Sequence, residues 1–209
     1  MVKTHLKLWI IFLFLILLSM PWIITPDEAK QRLVAEYNDS VKIFGYERTE
    51  HIADRGDNIF ISFMQGTGIG KLLAGGKIDE KEINSMDYGR KANRTMSEIT
   101  NKYLLTFSIQ IRGVFFRGSL MVQWLLYVGV FLIAVLMDGM TQRKVKQDLL
   151  IMNAPIKFAL AFHILIFVMF TPLAYLLLPV AVTPWFMPVW TISIALPITK
   201  AISNAVKTG

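Results

Sequence analysis

Apolar and polar positions in this chain come in blocks. Gly118–Met137 is 20 residues without a charge, and Asp138-Gly139-Met140-Thr141-Gln142-Arg143-Lys144-Val145-Lys146 follows at once. A helix rising about 1.5 Å per residue crosses a bilayer's ~30 Å hydrocarbon core in about 20 apolar residues. The block therefore predicts a membrane span, with the basic run behind it as its anchor. Leu8–Ile24 is a second block, of 17 residues, led by Lys3 and Lys7 and closed by Pro21, Trp22 and Pro26. It exceeds the apolar core of about 7–15 residues usual in a signal peptide, and no Ala-x-Ala site follows, so it predicts an uncleaved span. Phe158–Leu178 is a third, with His163 inside it and Pro172 toward its far end. Val180–Thr199 is a fourth, bent by Pro184, Pro188 and Pro197, since proline removes a backbone donor and kinks a helix. The last two blocks predict a hairpin of spans, with a tight return at Pro179–Pro184.

Residues 26–117 carry a different pattern. Pro26-Asp27-Glu28 opens a helix, with proline at its start and acids at the positive end of its dipole. Ala29, Leu33, Tyr37 and Val41 recur every four residues with Lys30, Arg32, Glu36 and Asp39 between them, which predicts one buried face ending at Gly45. Glu47–Met64 predicts a second helix, with Ile52, Ile59, Phe60 and Phe63 inward and Gly56 as a weak point. Gly66, Gly68, Gly70, Gly75 and Gly76 predict a linker or a tight turn between helices. From Asp79, with an interruption near Gly89, the positions Ile83, Met86, Met96, Ile99, Tyr103, Leu104 and Phe107 predict a long, mostly polar helix running past Arg112 and Arg117 into the 118–137 block. The apolar content is thin for an independent core.

Composition turns this pattern into an architecture. The 209 residues are 54% hydrophobic yet carry a net charge of +7. With the N-terminus inside, the short inner segments hold eight basic residues against two acidic ones, and 26–117 holds 14 against 13. Short loops thus obey the positive-inside rule, and a long translocated region need not. The expectation is an all-α membrane protein with four transmembrane helices and a helical periplasmic domain between the first and second. Its parts are 1–25 (anchor), 26–117 (periplasmic), 118–157 (second span and basic cytoplasmic loop) and 158–209 (hairpin and cytoplasmic tail). Helical spans suit a bacterial inner membrane, because outer-membrane proteins are barrels. Both termini are then cytoplasmic.

Candidate chemistry is sparse. Gly66-Thr67-Gly68-Ile69-Gly70-Lys71 fails as a phosphate loop: Gln65 stands where the first glycine belongs, and Leu72 follows the lysine. Glu47, His51 and Asp54 share a helix face at metal-ligand spacing, which is equally the pattern of a solvated face. His163 is a histidine within a span, suited to a bond between helices or to a proton relay, and could meet Asp138 at the facing end of the second span. No span carries Asp, Glu, Lys or Arg in its interior, which argues against a transport path. There is no cysteine and no His-Glu-x-x-His. No catalytic residue, cofactor or metal is expected.

An N-terminal span, an outside helical region, a span ending in Asp138-Gly139 followed by Arg143 and Lys144, and a hairpin with His163 together resemble a known family. It comprises inner-membrane proteins of integrating conjugative elements and conjugative plasmids, including the TraJ-like accessory protein found beside the coupling ATPase. The resemblance implies a non-catalytic accessory or scaffold subunit of a conjugative type IV secretion machine. Its implied partners are the coupling ATPase or inner-membrane secretion subunits, within the lipid bilayer and without direct nucleic-acid binding. Asp138, Gly139, Arg143, Lys144, Lys146 and His163 are the residues expected to set partner choice or topology. The rival readings are a transporter or permease subunit, and an exclusion or immunity protein acting through residues 26–117.

Overall fold

The structure, a computed structural model, describes residues 2–75, 90–149, 154–178 and 180–205. Among them are seven helices and no strand: α1 (Val2–Ile23), α2 (Pro26–Phe44), α3 (Tyr46–Gly66), α4 (Ile69–Gly75), α5 (Arg90–Asp148), α6 (Pro155–Leu177) and α7 (Phe186–Asn204). They belong to two compact units. One comprises Met1–Leu120 and Leu176–Thr183, the other Met121–Tyr175 and Pro184–Gly209. Helix α5 passes from the first into the second.

In the first unit, α1 is apolar on all sides from Leu8 onward. Leu8, Ile10, Ile11, Phe12, Phe14 and Leu15 are each more than half exposed, a distribution that suits lipid rather than water. Its last turns meet α5, where the Tyr103 hydroxyl donates to the Leu18 carbonyl (3.0 Å) and Trp22 packs on the Tyr103 ring. The chain then turns by 117° into α2. Thr25 caps α2 in a reciprocal box: its hydroxyl accepts from the Glu28 N–H, and the Glu28 carboxylate accepts from the Thr25 N–H. The acids after Pro26 signalled this start, and the cap one residue earlier completes it.

Gly45 stops α2 with φ +82, a conformation that favours glycine, and its N–H donates to the Val41 carbonyl. In α3, Gly56 is a contact point rather than a weak point. A Cβ placed there would sit 3.1 Å from the Phe116 Cα, so α3 and α5 touch backbone to backbone. Ile52, Phe116 and Leu120 form the small core, flanked by Leu33, Tyr37, Phe44 and Ala53. Phe60 and Phe63 pack on Phe115 as expected. Ile59, Met96 and Ile99 instead face outward, because the helix faces that meet are fixed by Gly56 and Phe116.

The glycine-rich stretch makes a turn at Thr67-Gly68 between α3 and α4, with Gly68 at φ +72. Gly76, Asp79, Ile83, Met86 and Gly89 lie outside the described residues. The polar helix does continue as helix into the 118–137 block, with a bend between Leu125 and Tyr127, and it carries the basic run as helix to Asp148.

In the second unit, α7 begins at Phe186, six residues later than the fourth apolar block. Pro184 therefore lies in the connection and Pro188 in the first turn, where a missing N–H costs no helical bond. Pro197 is the internal proline of α7, as Pro172 is of α6. Polar groups on these helices bond to backbone: Thr171 to the Val168 carbonyl, Thr191 to Met187, Ser193 to Val189, and the Trp190 indole N–H to Val168 at 2.8 Å. Groups satisfied in this way can sit in hydrocarbon. Helices α6 and α7 are each long and apolar enough to cross a membrane, and counting two further bent pairs brings the spans to four at most.

Candidate functional site

The first unit contains a buried ion pair that sequence periodicity did not single out. Glu36 stands on α2 among positions read as polar, yet its side chain is 1% exposed, and that of Arg117 on α5 is 8% exposed. Leu33, Glu36, Tyr37 and Ser40 follow i, i+3, i+4, i+7 spacing, so the inward face of α2 contains two polar residues. The Ser40 hydroxyl is satisfied by the Glu36 carbonyl at 2.7 Å. Arg117 Nε donates to both Glu36 carboxylate oxygens (2.9 and 3.1 Å), and Nη2 also donates to Glu36.

The pair holds a third segment. Arg117 Nη1 donates to the carbonyls of Leu176 (3.2 Å) and Leu178, and Nη2 to that of Val180 (2.8 Å). The Val182 N–H donates back to Glu36 (3.2 Å), and Gln110 donates to the Leu177 carbonyl (3.4 Å). The last carbonyls of a helix lack partners within it and attract a cation. Arg117 and Gln110 supply those partners for α6, and Glu36 neutralises the guanidinium. A crevice of about 40 Å³ beside the pair is lined by Ile24, Leu33, Thr106, Gly113 and Leu178, among others. Near it, Arg112 and Asp57 make a more exposed bidentate pair, with Nε to Oδ1 at 2.6 Å. The signal available in the sequence was that Arg117 is the last charge before the charge-free block.

The second unit gathers some of the expected residues and separates others. Gly139, Arg143 and Lys146 recur at i, i+4, i+7 and so share one face of α5. At Gly139 a Cβ would meet the Ile202 side chain at 3.1 Å. Lys146 Nζ donates to the Ser203 carbonyl (3.2 Å) and to the Asn204 side-chain oxygen (2.7 Å), capping the end of α7 with a cation. Arg143 Nε is buried and has no hydrogen-bond partner among the described residues. Asp138 and Lys144 are exposed off this face, and Asp138 accepts from Gln142 at 2.9 Å. His163 is exposed on α6. On α3, Glu47, His51 and Asp54 are exposed, and among the described residues no three His, Asp or Glu side chains are grouped to hold a metal ion.

Two arrangements thus emerge: a latch of opposite charges closing on a connector, and a cationic helix face closing on a helix end. Neither presents a nucleophile beside a base, and both are suited to holding helices in register. Comparison with known proteins agrees with the sequence resemblance. Residues 27–208 match the family model described as DtrJ-like, IncC plasmid conjugative DNA transfer protein DtrJ-like. No curated protein and no solved structure matches the chain.

Proposed function

The chain belongs to the DtrJ-like family of conjugative DNA transfer proteins, and on that premise we propose that it is a non-catalytic accessory subunit of a conjugative type IV secretion machine. It sits in the bacterial inner membrane and partners the coupling ATPase through its transmembrane helices. The observation that carries this reading is the family match, which spans all of the chain from the start of α2 through α7. The surface chemistry supports it. Val130 and Ile133 on α5 and Val189, Ile192 and Leu196 on α7 are each 60% or more exposed, leaving broad apolar faces for lipid and partner helices.

The topology we propose has four spans, with residues 26–117 periplasmic and both termini cytoplasmic. Charge supports it, since the short inner segments hold the basic excess. The latch supports it too: Arg117, just before Gly118, grips the 176–182 connector, so both would lie at one outer surface. Helix α1 meets α5 at Tyr103, fifteen positions before Gly118, or about 22 Å of helix. The side of the membrane on which each region lies is the part of the topology to test first.

Single cysteines serve for this, because the chain has none of its own. Labelling with an impermeant maleimide is expected from the periplasm at Glu50→Cys and from the cytoplasm only at Lys144→Cys. For the partner, a photo-crosslinking residue at Val130, Ile133, Ile192 or Leu196 in donor cells is expected to capture the coupling ATPase. Adducts to lipid alone at all four positions, with transfer intact, would refute the partnership.

A further inference from the structure

Arg143 is an anomaly among the cations at the end of α5. Lys146, on the same face, is fully engaged with Ser203 and Asn204. Arg143 is half-buried, its Nε is wholly so, and it has neither an ion pair nor a hydrogen bond among the described residues. The nearest acids in sequence, Asp138 and Asp148, both lie five positions away. On a helix that is about 140° around the axis, the wrong side for pairing. Asp138 is in any case engaged with Gln142. A guanidinium Nε–H removed from water and left without an acceptor is a costly arrangement, and it calls for a ligand that brings its own oxygens.

The level of Arg143 identifies the ligand. On the proposed topology, on which this inference rests, the charge-free block ends at Met137. The Arg143 Cα is then about 9 Å further along the helix. Its side chain leans back toward the helix N-terminus, which returns the guanidinium to the headgroup layer of the inner leaflet. That layer supplies phosphodiesters, whose paired oxygens fit the guanidinium fork. Exposed Lys144, one residue on, adds positive charge without sharing the buried face. We infer that Arg143, at the contact between α5 and the end of α7, is a binding site for the phosphate group of an anionic phospholipid of the inner leaflet.

The test uses the full chain, delipidated in neutral detergent. Binding of phosphatidylglycerol, phosphatidylcholine and inorganic phosphate is compared by native mass spectrometry and by thermal shift, at low salt and at 0.5 M NaCl. Wild-type protein is expected to retain phosphatidylglycerol preferentially and to lose it as salt rises. Arg143→Gln is expected to weaken that binding about tenfold or more, the loss appropriate to a charge-assisted bond. Lys144→Gln is expected to weaken it only about threefold or less, as a screened surface charge. Equal retention by wild type and Arg143→Gln would overturn the site. An equal response to phosphatidylcholine would overturn the anionic preference, and an equal response to inorganic phosphate the lipid source. If Arg143→Gln leaves lipid binding unchanged but abolishes capture of a partner protein, the acceptor is a partner's carboxylate and the inference fails. Maleimide labelling at Lys144→Cys separates this from failure of the topology: cytoplasmic labelling with unchanged lipid binding refutes the site alone, whereas periplasmic labelling refutes the topology beneath it.

Discussion

Removing either charge of the Glu36–Arg117 pair strands the other in the interior, and that can be worked through quantitatively. In Glu36→Gln, Arg117 keeps its three backbone carbonyls but loses its counter-charge, and the Val182 N–H loses a charged acceptor. Breaking a buried ion pair from one side costs about 3–5 kcal/mol. For a protein of this size that corresponds to about 6–20 °C in the midpoint of unfolding. Arg117→Met strands the Glu36 carboxylate and also releases the carbonyls of Leu176, Leu178 and Val180. The double variant Glu36→Leu with Arg117→Met removes both charges and leaves the carbonyls short of donors and the Val182 N–H short of its acceptor. It should therefore lie well above the sum of the single losses, with a coupling of about 2–3 kcal/mol. Thermal unfolding of the full chain in detergent, followed by near-ultraviolet circular dichroism, gives the cycle. A second readout follows the connector: a cysteine at Val180 should become more reactive to maleimide in either single variant. Single losses below about 1 kcal/mol, or a double variant equal to their sum, would show that the pair does not hold the connector.

Three further outcomes follow from local geometry. Gly56→Ala places a methyl 3.1 Å from the Phe116 Cα, where backbone cannot give way; it should destabilise the first unit by about 1–3 kcal/mol in chemical unfolding, and a neutral result would mean that α3 and α5 do not meet there. Gly139→Ala meets the Ile202 Cβ at the same distance, so it should lower the thermal midpoint, and an unchanged midpoint would remove the contact from the account. Thr25→Ala should cost about 1 kcal/mol as a lost helix cap. The Thr25 backbone N–H, and then its hydroxyl, hold the Glu28 carboxyl below the ordinary glutamate value. That contribution is therefore complete above the ordinary value and fades as pH falls through the lowered one. In acid titration of stability, Glu28→Gln should flatten this part of the curve, and an unchanged curve would count against the capping box.

Much of the helical layout was legible because it rests on local rules. The start at Pro26, the stop at Gly45 and the run of one helix through Gly118 each needed only neighbouring residues. Helix α7 starts just past the return expected at 179–184, whereas the apolar block reached back to Val180, because apolar content marks what lipid accepts and the Pro184 and Pro188 spacing decides where a helix can begin. Glu36 and Arg117 were invisible for a different reason. Each looks like surface charge on its own helix, and only tertiary pairing across 81 positions makes burial affordable. Gly56 shows the same limit: a glycine in a helix reads as weakness until the partner backbone that needs its missing side chain is known. Of the expected residues, Gly139, Arg143 and Lys146 shared a face because helical spacing alone placed them there.

The connector bears on how the protein is made. The first unit contains Leu176–Thr183 as well as Met1–Leu120, so the ribosome finishes most of it more than fifty residues before the segment that completes it emerges. Until then Glu36 and Arg117 can find each other, but the guanidinium has no carbonyls from α6 to hold. Completion of the first unit is thereby tied to correct delivery of the hairpin that flanks the connector. A chain cut short before residue 176, or one whose last helices insert wrongly, presents an unfinished unit to the cell's proteases. The latch thus makes the stability of the first part of the chain depend on the last.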